Sequence, residues 1–309
     1  MKVINGVSQL KKALPKTVLT IGNFDGLHLG HQEIIKTLLK AQKKNKTRGA
    51  VMTFDPHPSQ ILTPHKYLHR INTLSEKKEL LQKWNIDYFI VEPFTLKLAS
   101  QTPEFFFYEI LLKKMNPQVI VVGHDFNFGK NRSGNIELLK KLGYKENIEI
   151  IVVPPFKKDG EIVSSSFIRK LIQEGNVEKA HRFLGRPFFI EGKVVHGSGR
   201  GKKIKTPTAN LRTEDRLVPQ DGVYIIETEC DGKRYPSCGS IGYNITFSEK
   251  EPHTIEVFIL DFDKDLYDKT LRLHYMKKIR AMEKFSNVEK LQQAIESDIQ
   301  KTRVFFHER

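Results

Sequence analysis

Cysteine is scarce. The chain of 309 residues holds 2, Cys230 and Cys238, at a spacing that fits neither a metal-ligand motif nor a disulfide-rich scaffold. Reduced thiols in a cytosolic protein are the expectation. Long apolar runs are missing too: none approaches the length needed to span a membrane. Met1 to Leu10 lacks the apolar core of a signal peptide, so a cytoplasmic place and no membrane partner are expected. No internal repeat or low-complexity tract is present, which excludes a repeat architecture. Acidic residues are outnumbered, 36 Asp and Glu against 51 Lys and Arg, for a net charge of +15. That excess suits anionic partners. The lysines are spread along helices, however, and Lys40, Lys43, Lys44 and Lys46 end one, where cations favour the dipole. No basic stripe interleaved with aromatics appears, so no nucleic-acid partner is expected. At 39% hydrophobic residues the chain can bury ordinary cores, and its length suggests two domains.

The most informative stretch is Gly22-Asn23-Phe24-Asp25-Gly26-Leu27-His28-Leu29-Gly30-His31. It follows the apolar run Thr17–Ile21 and precedes a helical pattern in which Ile34/Leu38 and Ile35/Leu39 repeat. Glycines and histidines thus sit where a strand ends and a helix begins. Free N–H groups and the positive dipole end there suit phosphate. His28 and His31 can each direct an N–H donor at phosphate oxygens. The reading is a nucleoside triphosphate site; a chance turn is the alternative for the four residues His28 to His31 alone. A second segment, Ser164-Ser165-Ser166-Phe167-Ile168-Arg169, offers hydroxyls and a guanidinium as donors for a pyrophosphate leaving group. Its alternative is a plain N-cap.

The first half alternates strand and helix signals. Ala50–Phe54, Tyr88–Val91, Val119–Val122 and Ile148–Val153 read as strands. Thr73-Leu74-Ser75-Glu76 reads as a capping box opening a helix to about Trp84, and Thr102-Pro103 as the start of another. Strands separated by helices imply a doubly wound parallel sheet, with ligands at the carboxyl ends of its strands. Beyond Leu184-Gly185-Arg186-Pro187 strands dominate: Phe188–Val195, Val223–Glu229, Ile255–Leu260 and Leu271–Tyr275. A last helix from Asn287 to about Arg303 carries Leu291, Ile295 and Ile299 on one stripe. This half reads as a small antiparallel barrel closed by a C-terminal helix.

The barrel half holds its own chemistry. Gly197-Ser198-Gly199-Arg200-Gly201-Lys202-Lys203 is a glycine-rich basic loop of a kind that cradles phosphates, though it lacks the P-loop spacing. A glycine turn ahead of an edge strand is the alternative. In Thr206-Pro207-Thr208-Ala209-Asn210, Thr208 and Asn210 face one side if extended. Their hydroxyl and amide oxygens can ligate Mg²⁺, a hard cation. Glu256 lies in the apolar run Thr254–Asp261. It is either a solvated strand residue or a proton acceptor for phosphorylating an alcohol.

The ten residues from Gly22 and the segment from Ser164 resemble the two signatures of the nucleotidylyltransferase superfamily. With Thr53-Phe54-Asp55-Pro56-His57-Pro58, Gly123-His124-Asp125-Phe126-Asn127-Phe128-Gly129, Pro207–Asn210, Gly222-Val223-Tyr224, Ile255-Glu256-Val257, Asp265-Leu266-Tyr267 and Ile279–Phe285, nearly the whole chain resembles the bacterial bifunctional riboflavin kinase/FMN adenylyltransferase (FAD synthetase) family. The resemblance implies an α/β doubly wound parallel-sheet nucleotidylyltransferase domain, 1–184, then a small antiparallel β-barrel kinase domain with a C-terminal helix, 185–309. It implies ATP and Mg²⁺ as cofactors and riboflavin, FMN and FAD as substrates and product. His28, His31, Arg169 and Glu256 would be catalytic. Gly22, Phe24, Asp25, Gly26, Gly30, Ser164, Ser165 and Ser166 would surround ATP, and Asp125, Phe126, Asn127 and Phe128 would line the nucleotide and flavin pocket. In the barrel, Gly199, Arg200, Gly201 and Arg280 would bind the nucleotide, with Thr208 and Asn210 on the metal.

Two departures fall in the kinase half. Lys205-Thr206 stands where the family usually has Gly-Phe, and Ile245 stands where it usually has Pro. They set one alternative expectation, a monofunctional FMN adenylyltransferase with a degenerate kinase domain; an alternative of a different class is a basic nucleic-acid-binding regulator on the same scaffold.

Overall fold

The strands of the first sheet share their side chains between two cores. In this computed structural model, which describes residues 1–66, 69–196, 207–213, 216–242 and 254–308, the sheet contains β1 (Lys2–Asn5), β2 (Thr17–Ile21), β3 (Arg48–Asp55), β4 (Tyr88–Pro93), β5 (Pro117–Gly123) and β6 (Glu149–Val153). All pair in parallel, in the order β1-β4-β3-β2-β5-β6. Leu19, Met52 and Ile120 enter one core, while their chain neighbours Val18, Val51 and Val121 enter the other. The period of two in a strand dictates that split. These strands are apolar on both faces because both are covered.

Helices α1 (Leu29–Asn45), α2 (Pro58–Leu62), α3 (Leu74–Gln82), α4 (Leu96–Ala99), α5 (Pro103–Phe105) and α6 (Ile136–Lys145) fill the connections. Ile35 and Leu38 of α1 and Leu81 of α3 are buried on one side of the sheet; Leu139 and Leu142 of α6 are buried on the other. The capping box forms: Glu76 N donates to Thr73 Oγ1 at 3.2 Å, and Thr73 N donates to Glu76 Oε2 at 3.0 Å. The helix expected after Thr102 becomes a π-helix over Phe106–Met115. Its apolar spacing is compatible with either hydrogen-bond pattern, so the sequence does not separate them.

The chain divides into two compact units, Met1–Ser165 and Ser166–Arg309. After a short hairpin of β7 (Lys157–Lys158) and β8 (Glu161–Ile162) come α7 (Ser165–Gln173) and α8 (Val177–Leu184). The division precedes Leu184 because α8 packs on β14 (Thr270–Arg280) and β9 (Phe188–Val195). The barrel is closed in the order β10-β13-β12-β11-β14-β9, its remaining strands being β10 (Ala209–Arg212), β11 (Gly222–Cys230), β12 (Lys233–Gly242) and β13 (Thr254–Ile259). Asp231 and Gly232, both at positive φ, turn β11 into β12, as an Asp-Gly pair favours. Pro236, Gly239 and Gly242 mask β12 in the sequence, since such residues weaken a strand signal. Helix α9 (Val288–His307) closes the chain against β12.

Candidate active sites

The chain winds outward from β2 through β3 to β4, then returns to the other side of β2 for β5 and β6. Strand order therefore reverses between β2 and β5, the topological switch point where ligands bind in open sheets. The two loops leaving those strands, 22–28 and 124–129, are the ones that carry the sequence motifs.

In the first loop Phe24, Gly26 and Leu27 have φ of 48°, 85° and 41°. Glycine takes that region freely, but Phe24 and Leu27 do so at a cost. Their surroundings hold them there. Asn23 O accepts from Lys77 Nζ at 2.6 Å and from Thr53 Oγ1 at 3.2 Å. The buried carboxylate of Asp25 accepts from Ile71 N at 3.0 Å and Asn72 N at 3.3 Å. Asp25 O accepts from Ser165 Oγ at 2.8 Å, and Leu27 O from Gln32 Nε2 at 3.0 Å. Asp25 and Ser165, both expected around ATP, thus contribute to the shape of the loop.

The loop ends at His28, the N-cap of α1, whose Nδ1 accepts from His31 N at 3.3 Å. In a neutral ring that leaves the proton on Nε2. The His28 and His31 rings stack at 3.6 Å with 16° between planes, and Phe24 meets His31 edge-on at 5.3 Å. Gly30 permits this: a Cβ there would stand 3.2 Å from the His28 ring and 3.4 Å from Val163 O. Two imidazoles are thereby gathered at the α1 N-terminus, groups of the type that can donate to a polyanion. Ser164, Ser165 and Ser166 lie at the start of α7, and Arg169 is buried one turn further along it.

Past β5, Phe126 and Phe128 stack at 5.5 Å and Asn127 Nδ2 donates to Asp125 O at 2.7 Å. Phe128 approaches Phe106, Phe106 approaches Phe54, and Phe54 meets Phe94, with centroid separations of 6.1, 6.4 and 5.7 Å. This aromatic cluster at the carboxyl ends of β3, β4 and β5 can receive a planar ring system. Phe94 and Phe106 escape a reading of the sequence because isolated phenylalanines look like core.

In the barrel, β10 lies against β13 with Asn210 directly opposite Glu256. Thr208 Oγ1 donates to Glu256 Oε2 at 3.2 Å. Ile255, Val257 and Ile259 are buried in β13, while Glu256 is on the alternate face and half-buried. The Thr208 hydroxyl thus meets the Glu256 carboxylate, with Asn210 opposite in the register, and oxygen donors of these types fit Mg²⁺. Arg280 is engaged differently. Its Nε and Nη2 bond the buried Asp298 carboxylate at 2.9 and 2.8 Å, Nη1 donates to Ala281 O, and the guanidinium lies 5.5 Å from the Phe285 ring centroid. Gly199, Arg200, Gly201, Lys205, Thr206 and Ile245 lie outside the described residues.

A parallel sheet with a phosphate-type loop at its switch point, followed by a closed barrel with its own oxygen cluster, defines a two-site nucleotide-using enzyme. The FAD synthetase family model matches residues 10–167 and the riboflavin kinase model residues 184–306. A bifunctional riboflavin kinase/FMN adenylyltransferase from Buchnera aphidicola subsp. Schizaphis graminum is 36% identical over 99% of both chains. A relative of the same name from Listeria monocytogenes is 36% identical over 94% of this chain and 92% of its own. The chain belongs to the bifunctional riboflavin kinase/FMN adenylyltransferase family. A solved structure from Streptococcus pneumoniae, described as a macrolide-efflux protein, is 34% identical with a TM-score of 0.89, covering 98% of this chain and 99% of that one. Its name differs from those of the relatives; among the described residues here, no helix is long and apolar enough to cross a membrane.

Proposed function

We propose that this chain makes FAD in two steps. The barrel transfers the γ-phosphoryl of ATP to the ribityl 5′-hydroxyl of riboflavin, giving FMN. The sheet domain transfers AMP from a second ATP to FMN, releasing pyrophosphate. The observation that carries the first step is Thr208, Asn210 and Glu256 meeting across β10 and β13. The one that carries the second is the stacked His28–His31 pair at the N-terminus of α1.

The residue types match the chemistry. An alcohol holds its proton tightly, so phosphorylation needs an acceptor, and Glu256 supplies the carboxylate. Thr208 and Asn210 would hold Mg²⁺, which neutralises charge on the ATP phosphates when bound. The FMN phosphate is already anionic, so adenylyl transfer needs no base. It needs alignment and donors for the charge that builds on the α-phosphate and the leaving pyrophosphate. His28, His31, Ser164, Ser165, Ser166 and Arg169 are assigned to that work. The aromatic cluster around Phe126 and Phe128 is assigned to the flavin side. The functional division is placed at Leu184/Gly185, and the cytoplasm is the proposed setting.

The test is incubation of the chain with riboflavin or FMN, ATP and Mg²⁺, followed by chromatography of the flavins. FMN and then FAD should form from riboflavin, and FAD alone from FMN. No FAD from FMN would overturn the assignment of the first domain.

A further inference from the structure

We propose that Lys77 is a positioning residue for adenylyl transfer, its ammonium holding the Asn23 carbonyl and so the Phe24–Leu27 turn that presents His28 and His31. The inference rests on the adenylyl-transfer reading of the first domain. Lys77 sits on α3 between Leu74 and Leu81, along the stripe that faces the sheet. It is only 6% exposed. Lysine is almost never buried unless paired. Among the described residues no carboxylate forms an ion pair with it. Its Nζ bonds instead to Asn23 O at 2.6 Å and Thr53 Oγ1 at 3.3 Å.

Those two contacts lie beneath the loop at the end of β2. Thr53 also donates to Asn23 O, so one carbonyl is gripped by a hydroxyl and an ammonium together. The residues that follow it are those in the left-handed region, Phe24, Gly26 and Leu27. Strained backbone of that kind persists only where the surroundings over-determine it. The geometry gives Lys77 a task that a buried apolar side chain could not perform.

Charge makes the grip sensitive to pH. Burial lowers the Lys77 pKa to about 8, opposed by the nearby carboxylates of Asp25 and Asp55 and assisted by Arg70. Arg70 is itself paired with Asp55 at 2.7 Å. As pH rises through about 8, the ammonium becomes an amine, a weaker donor to Asn23 O. The turn then loosens, and adenylyl transfer should fall on the alkaline side.

The experiment uses the full chain and the Lys77→Met substitution, which keeps length and removes charge. In wild type, kcat/KM for ATP during FAD formation from FMN should decline above about pH 8. In Lys77→Met it should be about 10²-fold lower at neutral pH, the scale of a small misplacement of reacting groups. The alkaline decline should also disappear, while riboflavin phosphorylation by the same preparation is unchanged. Backbone amide NMR signals of residues 22–31 should titrate with the Lys77 side chain in wild type without substrate, and not in the variant. If Lys77→Met does not fold, Thr53→Val serves: losing the hydroxyl contact should move the titration to lower pH. FAD formation at the wild-type rate, an unchanged alkaline decline in Lys77→Met, or loop amides indifferent to the titration overturns the proposal. A wild-type chain whose loop titrates but which makes no FAD refutes the reaction assigned to the domain, and leaves the loop linkage standing.

Discussion

Thr208 and Glu256, separated by 48 positions in the chain, are joined by a hydrogen bond of 3.2 Å from the hydroxyl to Oε2. The register of β10 on β13 brings this about, because Asn210 opposite Glu256 puts Thr208 on the same face two residues away. The contact orients the carboxylate on the half-buried outer face of the strand. It also turns the choice between a solvated strand residue and a chemical group into a question about one oxygen pair.

Glu256→Gln keeps the shape of the side chain and removes its ability to accept a proton. Riboflavin phosphorylation should fall about 10²–10⁴-fold, the usual cost of losing a general base. FAD formation from supplied FMN should be spared, since that chemistry is assigned to the other domain. Chromatography with either flavin as starting material reads both. Phosphorylation as fast as wild type would place the base elsewhere.

The division of labour along the chain is also testable. The segment Ser164–Arg169 straddles the boundary between the compact units at Ser165/Ser166. A chain ending at Leu184 retains it and should form FAD from FMN; one ending at Ser165 should fold and lose that activity. Removing the barrel exposes Val177, Ala180, Phe183 and Leu184 of α8, all buried in the full chain, so the longer truncation should melt at a lower temperature than the intact protein. A folded chain ending at Leu184 that makes no FAD would refute the proposed boundary.

Acid stability should depend on the pair His274–Glu229, whose Nε2 and Oε2 are 3.1 Å apart. Burial pushes the His274 pKa below its ordinary value, outweighing the pull of Glu229. Burial raises Glu229, but the His274 hydrogen bond and Arg272 outweigh it and leave its pKa below the ordinary value. Both shifts have the same sign for stability. The unfolded chain takes up a proton at His274 near pH ~6.5, before the folded chain does, so acidification through that value destabilises the fold. Glu229 adds its share as pH falls through the carboxylate range. Thermal unfolding at a series of pH values should show a smaller loss below about pH 6.5 in His274→Gln than in wild type. Equal slopes would remove His274 from the linkage.

Much of this arrangement is legible in the sequence, and what is not has physical reasons. Thr17–Ile21 and Phe188–Val195 coincide with β2 and β9, because segments rich in β-branched and aromatic residues between turn signals favour an extended chain. The capping box at Thr73 is readable from spacing. Lys77, one residue beyond it, is easily passed over, although a lysine on an apolar stripe at 74, 77 and 81 is a usable signal. The role of Asp25 is hidden for another reason. Its carboxylate bonds to Ile71 and Asn72, a long-range contact that no local pattern records. The Arg280–Asp298 pair is likewise outside any local pattern, its partners lying 18 positions apart.

The stacked histidines make the sharpest test of the first domain. His31 lies 3.6 Å from the parallel His28 ring, and its backbone N–H donates to His28 Nδ1. His31→Ala retains that N–H, and with it the N-cap, while removing the imidazole. The loop and helix should therefore persist, and the loss should fall on donors to the phosphates. Removing one such donor costs about 10²–10³-fold in kcat where it acts in the transition state. FAD formation from FMN should drop by that order, riboflavin phosphorylation should be unaffected, and thermal unfolding should change little. A rate of FAD formation equal to wild type would remove His31 from the reaction. A matching loss of thermal stability would assign it to packing instead.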